Sequence, residues 1–140
     1  PNLTILGFLN SNSCPVYLSC FSETLNFEKG NIAKLPILVK SDSEIEEYVA
    51  SAKNISKLDW DSTEHSWDFQ QNELIRFNKE GGIDTLEDAY EHYWQYWTNK
   101  FFQLHQNEEE LNRQFIEIYG LQEELTPEVW AFWSSSRSLA

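Results

Sequence analysis

From Thr85 to Tyr119 the apolar residues Leu86, Tyr90, Tyr93, Trp97, Phe101, Leu104, Leu111, Phe115 and Ile118 recur at steps of three and four, interrupted only at Glu108. That spacing places them on one side of a long amphipathic helix. Thr85 with Asp88 forms a capping pair, and Glu87 and Asp88 fall in the first turn, where the helix dipole favours carboxylates. Gly120 follows the last stripe residue, where a left-handed C-cap is wanted. Unbroken, such a helix spans about 50 Å. The row shifts between Trp97 and Phe101, and Asn107 lies beside the charged gap, so a break there giving two helices is the alternative. Tyr90, Tyr93, Trp94, Tyr96, Trp97, Phe101 and Phe102 crowd the first half. Each ring removes roughly 150–250 Å² from water when buried, and there are too many for one stripe. This half therefore predicts partners on two faces: the preceding segments, another chain, or other parts of a larger protein.

The pattern upstream is shorter in period. Leu3 to Leu9 is apolar enough for a buried strand or a helix end. Asn10 to Ser13 is a loop with several N-cap candidates, and Pro15 suits an early position of a short helix continuing through VYLSCF. Leu25 and Phe27 face one way, Glu28 to Asn31 reads as a turn, and Ile32 to Val39 alternates like a second strand with Pro36 at an edge or an end. Ser41 and Glu44 form a capping box before Ile45, Tyr48, Val49 and Ala52, a helix of about three turns. Ser56 is expected to cap a further short helix, KLDWDS. Ser62 to Asn72 is polar with isolated rings and predicts an ordered crossing. Glu80-Gly81-Gly82 breaks the chain before the long helix. After Gly120 the sequence is a polar exit, and from Trp130 its character changes.

The 140 residues bound the answer to one domain or one piece of a larger one. Methionine is absent and the chain opens mid-pattern at Pro1, as expected of an excised segment. No apolar run approaches a membrane span, no signal peptide is visible, and a cytoplasmic location is expected. Cys14 and Cys20, in a reducing compartment, are expected as free thiols. The net charge of −13 is uneven. Residues 1–40 carry three lysines against two glutamates, a net +1, whereas residues 41–140 carry 7 basic and 21 acidic groups, a net −14. Duplex DNA is held by Lys and Arg at phosphates, so the second part repels it. Any contact with DNA falls to the first 40 residues, where Lys29, Lys34 and Lys40 flank the expected hairpin as candidate phosphate contacts.

Other constellations are weaker. Asp59, Asp61, Glu64, His65 and Asp68 are hard-cation ligand types, but no glycine-bearing calcium loop surrounds them, and capping of short helices explains them better. Trp60, Trp67 and Phe69 could stack bases. Their acidic surroundings favour a structural role instead, pinning the crossing against the long helix beside Trp97 and Phe101. His92 and His105 are too far apart for the four-residue spacing of a metal pair. Cys14 and Cys20 lack the context of a catalytic thiol.

Three stretches carry a family resemblance: LGFLNS with LNFEKGNIAKLPIL (Leu6 to Leu38), ISKLDWDSTEHSWDFQQNELI (Ile55 to Ile75), and NEEELNRQFIEIYGLQEELTPEV (Asn107 to Val129). Together they resemble the adenine-specific DNA methyltransferases of phage-defence systems, of the PglX type in BREX, and related fused type II restriction-modification proteins. The D-W-D-S and S-W-D-F elements are the most specific. The resemblance implies a parent that transfers a methyl group from S-adenosylmethionine to the exocyclic amine of adenine. This sequence holds no Asn-Pro-Pro-Tyr element for a flipped adenine and no glycine-rich cofactor loop, so no catalytic, cofactor-binding or metal-binding residue carries over. From Trp130 the match ends, as a truncated or frameshifted end would make it.

The expected fold is mainly α: one long amphipathic helix, or two, packed with shorter helices, plus a short β-hairpin near the N-terminus. Residues 1–40 are expected to close the catalytic and target-recognition region, 41–129 to form a helical spacer, and 130–140 an unmatched tail. The expected function is a non-catalytic segment linking the catalytic and recognition regions of a site-specific DNA adenine-N6 methyltransferase. It is inactive alone and reaches duplex DNA and S-adenosylmethionine only through its parent. Its partners are the rest of that parent and, through the aromatic helix faces, a candidate second copy. The alternative is a stand-alone acidic interaction module or DNA mimic.

Overall fold

The computed structural model describes residues 2–21, 28–38, 42–81 and 85–129. Six helices follow one another among them: α1 (Leu3–Asn10), α2 (Ser13–Phe21), α3 (Lys29–Ile32), α4 (Ser43–Asp61), α5 (Glu73–Gly81) and α6 (Leu86–Tyr119). They group into two compact units, one of residues 1–50 with 105–140 and one of residues 51–104.

The long stripe forms a single helix of 34 residues, continuous through Asn107 and Glu108. Its start is the expected capping pair: the Thr85 hydroxyl accepts from the Asp88 N–H at 3.2 Å and donates to the Asp88 carboxylate at 2.7 Å. Its end is a Schellman motif. Gly120 takes φ +68°, Leu121 N–H donates to the Ile116 carbonyl at 2.9 Å, and Gly120 N–H donates to Glu117 at 3.2 Å.

The expected β-hairpin is not formed: among the described residues there is no strand. Leu25 and Phe27 lie outside the described residues. Leu3 to Leu9 is helical because Asn2 caps it, its side chain accepting from the N–H groups of Thr4 and Ile5. Ile32 closes the short α3, and two turns carry the chain to Leu35. The alternation beyond does place Leu35 inside, but no neighbouring strand completes a ladder. Pro36 has no N–H to offer one. Instead the Tyr119 hydroxyl serves both sides, donating to the Pro36 carbonyl at 2.7 Å and accepting from the Leu38 N–H at 3.2 Å.

One further expectation needs correction. Ser56 begins no helix, because α4 runs 19 residues without a break. At its start Asp42 accepts from the Glu44 N–H at 2.9 Å; the expected box of Ser41 with Glu44 falls on Ser41, which lies outside the described residues.

The first unit holds a core of Phe8, Cys14, Leu18, Leu35, Ile45, Val49, Leu111, Phe115, Ile116, Tyr119 and Leu121. Phe8 stacks on Tyr119 with ring centroids 4.8 Å apart and leans on Phe115 at 5.8 Å. Gly7 lets α1 approach closely: a Cβ there would stand 2.6 Å from Val49 Cγ2 and 3.3 Å from the Phe115 ring. Cys14 is buried and Cys20 exposed, both as free thiols.

In the second unit Ile55, Ala89 and Trp97 are buried. Phe77 of α5 meets Tyr96 at 5.3 Å and Tyr93 at 6.3 Å. Arg76, bridged to Glu73, lies 4.5 Å from the Phe77 ring centroid and 5.5 Å from that of Tyr96. In the first half of α6, Leu86 and Tyr90 of the expected stripe and Trp94 and Phe102 beside it are all more than half exposed.

Candidate functional site

Lys29 sits in α3 and Lys34 in the turn after it, both exposed; Lys40 lies outside the described residues. The two described lysines therefore stand on a helical turn and its exit, and make no hairpin rim.

The acidic crossing after α4 is a built turn. Asp61 accepts from the Ser66 hydroxyl at 2.7 Å, and the same hydroxyl accepts from the Asp68 N–H at 3.1 Å. Lys57, one turn back on α4, reaches Asp61 at 2.5 Å and Asp68 at 3.0 Å. The Lys57 ammonium, and after it the Ser66 hydroxyl, hold the Asp61 carboxyl below the usual carboxylate range. Two of the residues singled out as metal-ligand types, Asp61 and Asp68, are thus used to brace the turn. Among the described residues no group of three His, Cys, Asp or Glu side chains is placed to hold a metal ion.

The rings of this region divide. Trp67 is fully exposed at 102%, Trp60 is 59% exposed and Phe69 half-buried. Among the described residues Trp67 therefore packs on nothing, and no pin against α6 runs through it. Trp97 is buried and Phe101 half-buried within α6.

A constellation the sequence pattern did not single out closes the first unit. Beyond Gly120 the chain returns beside α6. Asn112, buried at 4% exposure, accepts from the Asn12 N–H at 2.9 Å and donates to the Pro127 carbonyl at 3.2 Å. One amide thus ties the α1–α2 turn and the returning segment to α6. Farther along, His105 Nε2 donates to the Val129 carbonyl at 2.9 Å, and Glu109 accepts from the Val129 N–H at 3.4 Å. The only available signal was a neutral amide at a core-facing position between Leu111 and Phe115. Beside the returning chain runs a groove of about 240 Å³ lined by Arg113, Ile116, Glu117, Gln122, Leu125 and Pro127. Its one cation, Arg113, is already paired with Glu110.

No helix among the described residues is long and apolar enough to cross a membrane. The chain is 40% identical over 127 residues to the adenine-specific methyltransferase PglX of Lacticaseibacillus casei (strain Zhang), a match covering 90% of this chain and 11% of that protein. It is 30% identical over 122 residues to the adenine-specific methyltransferase BrxX of Escherichia coli O9:H4 (strain HS), covering 87% of this chain and 10% of that protein. The chain thus spans about one-tenth of the length of the curated relatives it matches. No protein-family model and no solved structure matches it.

Proposed function

We propose that this chain, a homologue of a short segment of the PglX and BrxX adenine-specific methyltransferases, is a non-catalytic helical segment of such an enzyme in a restriction-modification or phage-defence system. In this reading it links the catalytic and recognition regions of a parent that methylates adenine N6 in DNA. The observation that carries it is the pairing of 40% identity across 90% of this chain with coverage of only 11% of the relative. The sequence adds that no Asn-Pro-Pro-Tyr element and no glycine-rich cofactor loop lies within these residues. The structure supports a spacer role through α6, whose 34 residues extend for about 50 Å. The carboxylate excess argues that duplex DNA is bound elsewhere in the parent.

Isothermal titration calorimetry tests the first half of this reading. The isolated 140-residue chain is expected to give no heat with S-adenosylmethionine, whereas the full-length parent gives a stoichiometric complex. A tight, stoichiometric complex of the isolated chain with the cofactor would refute the assignment of a non-catalytic segment.

A further inference from the structure

The turn after α4 presents one large ring to solvent while fixing the backbone on both sides of it. Ser66, itself 9% exposed, is anchored through its hydroxyl to Asp61 on α4. Asp68 is anchored through its N–H to that hydroxyl and through its carboxylate to Lys57 on α4. Backbone bonds from Ser66 N–H to the Thr63 carbonyl and from Phe69 N–H to the Ser66 carbonyl complete the brace. Between the two anchors stands Trp67, at 102% exposure. Its side chain contributes nothing to the packing of the described residues, yet the turn is held by four side chains, Lys57, Asp61 and Ser66 before it and Asp68 after it. A tryptophan held in this way binds with little loss of backbone freedom. Tryptophan is also among the residue types enriched in the few positions that dominate protein interfaces.

The surroundings specify the partner. The segment from Lys57 to Phe69 that carries the ring holds four carboxylates, Asp59, Asp61, Glu64 and Asp68, against one cation, Lys57, which pairs with Asp61 and Asp68. A nucleic acid is repelled by that rim. A protein cleft that accepts an indole and is edged by Lys or Arg is complementary to it in shape and charge.

We infer that the 62–69 turn is a docking knob, and that Trp67 inserts into an apolar, basic-rimmed cleft on another part of the parent methyltransferase. The identity of that partner rests on the reading under Proposed function, since the match covers only 11% and 10% of the curated relatives. A surface that is fully solvated in this segment has the remainder of such a protein available to cover it.

Hydroxyl-radical footprinting read by mass spectrometry tests the inference on two samples, the isolated 140-residue chain and the full-length protein that carries it. Trp97, buried within this chain, is the internal standard. Trp67 is expected to oxidise rapidly in the isolated chain at all concentrations and to fall to the level of Trp97 in the full-length protein. Glu64→Lys, a change at an exposed residue outside the brace, is expected to restore part of the reactivity in the full-length protein and to leave the isolated chain unchanged. Equal reactivity of Trp67 in both samples overturns the inference. So does protection that develops in the isolated chain as its concentration rises, which identifies a second copy as the occupant. Protection unchanged by Glu64→Lys and by added salt overturns the basic rim. Methyl transfer assayed on the same full-length sample keeps the two readings separable. Protection without adenine methylation retains the knob and discards the enzyme assignment, and methylation with a reactive Trp67 does the reverse.

Discussion

Gly7→Ala is a sensitive test of the first unit because two effects of known sign oppose each other. In an exposed helix interior, alanine for glycine is stabilising by about 0.5–1 kcal/mol, since glycine loses more backbone freedom on folding. At position 7 the added methyl would meet Val49 Cγ2 at 2.6 Å and Phe115 at 3.3 Å. Val49 is β-branched and cannot swing its methyl away cheaply, and Phe115 is fully buried. Overpacking of this kind costs about 1–3 kcal/mol. The balance is a net loss of about 1 kcal/mol, within a range of about 0 to 2.5. With a urea slope of about 1–3 kcal/mol/M, the midpoint falls by about 0.3–1 M. Labelling of Cys14 in a Cys20→Ser background reads this transition, because Cys14 is buried in the same core as Phe8 and Phe115. The Val49→Ala change alone costs about 1.5 kcal/mol or more for two buried methyl groups. Combined with Gly7→Ala it removes the clash, so the double variant is expected to lose about 1 kcal/mol less than the sum. A Gly7→Ala variant more stable than wild type by about 1 kcal/mol, with additive behaviour in the double variant, would refute the close approach of α1 to α4 and α6.

Asn112→Ala leaves the Asn12 N–H and the Pro127 carbonyl without their partner and is expected to cost about 1–3 kcal/mol, read as a lower Cys14-labelling midpoint, with faster amide exchange at Asn12. Trp97→Ala is expected to cost about 3–5 kcal/mol as the loss of a buried ring, whereas Trp67→Ala stays within about 0.5 kcal/mol; urea denaturation followed by circular dichroism distinguishes them. Burial raises the Cys14 thiol and the Tyr119 phenol above their ordinary values. Both groups resist ionisation more in the folded than in the unfolded chain, so their contribution is complete below the unfolded values and is lost as pH rises past them. The first unit is therefore expected to weaken from about pH 9 upward, and Tyr119→Phe is expected to flatten the part above about pH 10 in a pH series of labelling midpoints.

The helical part of this architecture was legible because its signals are local and agree with one another. The stripe from Leu86 to Ile118, the Thr85–Asp88 pair and the Gly120 cap each point to the same helix, and the structure has all three. The apolar run of Leu3 to Leu9 carries no such agreement, since a buried helix and a buried strand give the same short hydrophobic run; the deciding signal was Asn2 as an N-cap. The alternation of Ile32 to Leu38 misled because a strand needs a partner, and the hydroxyl of Tyr119, about 80 residues away, took that place. Asn112 was illegible for the same reason: its partners are brought together by tertiary folding, and nothing in the spacing of Asn12, Asn112 and Pro127 announces it. The crossing after α4 was legible as ordered because its braces are local, joining Lys57 to Asp61, Ser66 to Asp61 and Asp68 to Ser66. The exposure of Trp67 was not legible, because composition and hydropathy both assign a tryptophan to the interior.

The account turns on whether α6 couples the parts of a methyltransferase, and methyl transfer by the full-length protein measures this most directly. Gln106 is exposed on α6, and Gln106→Pro removes a helix hydrogen bond at a cost of about 3 kcal/mol or more, kinking or breaking the helix. With tritiated S-adenosylmethionine and duplex DNA, the wild-type parent is expected to label adenine N6, and the isolated 140-residue chain is expected to label nothing. The Gln106→Pro parent is expected to lose most of the transfer while still binding the cofactor in equilibrium dialysis. Labelling by the isolated chain, or a full-length protein that transfers no methyl group to adenine, would contradict the account; full transfer by the Gln106→Pro parent would contradict the role given to α6.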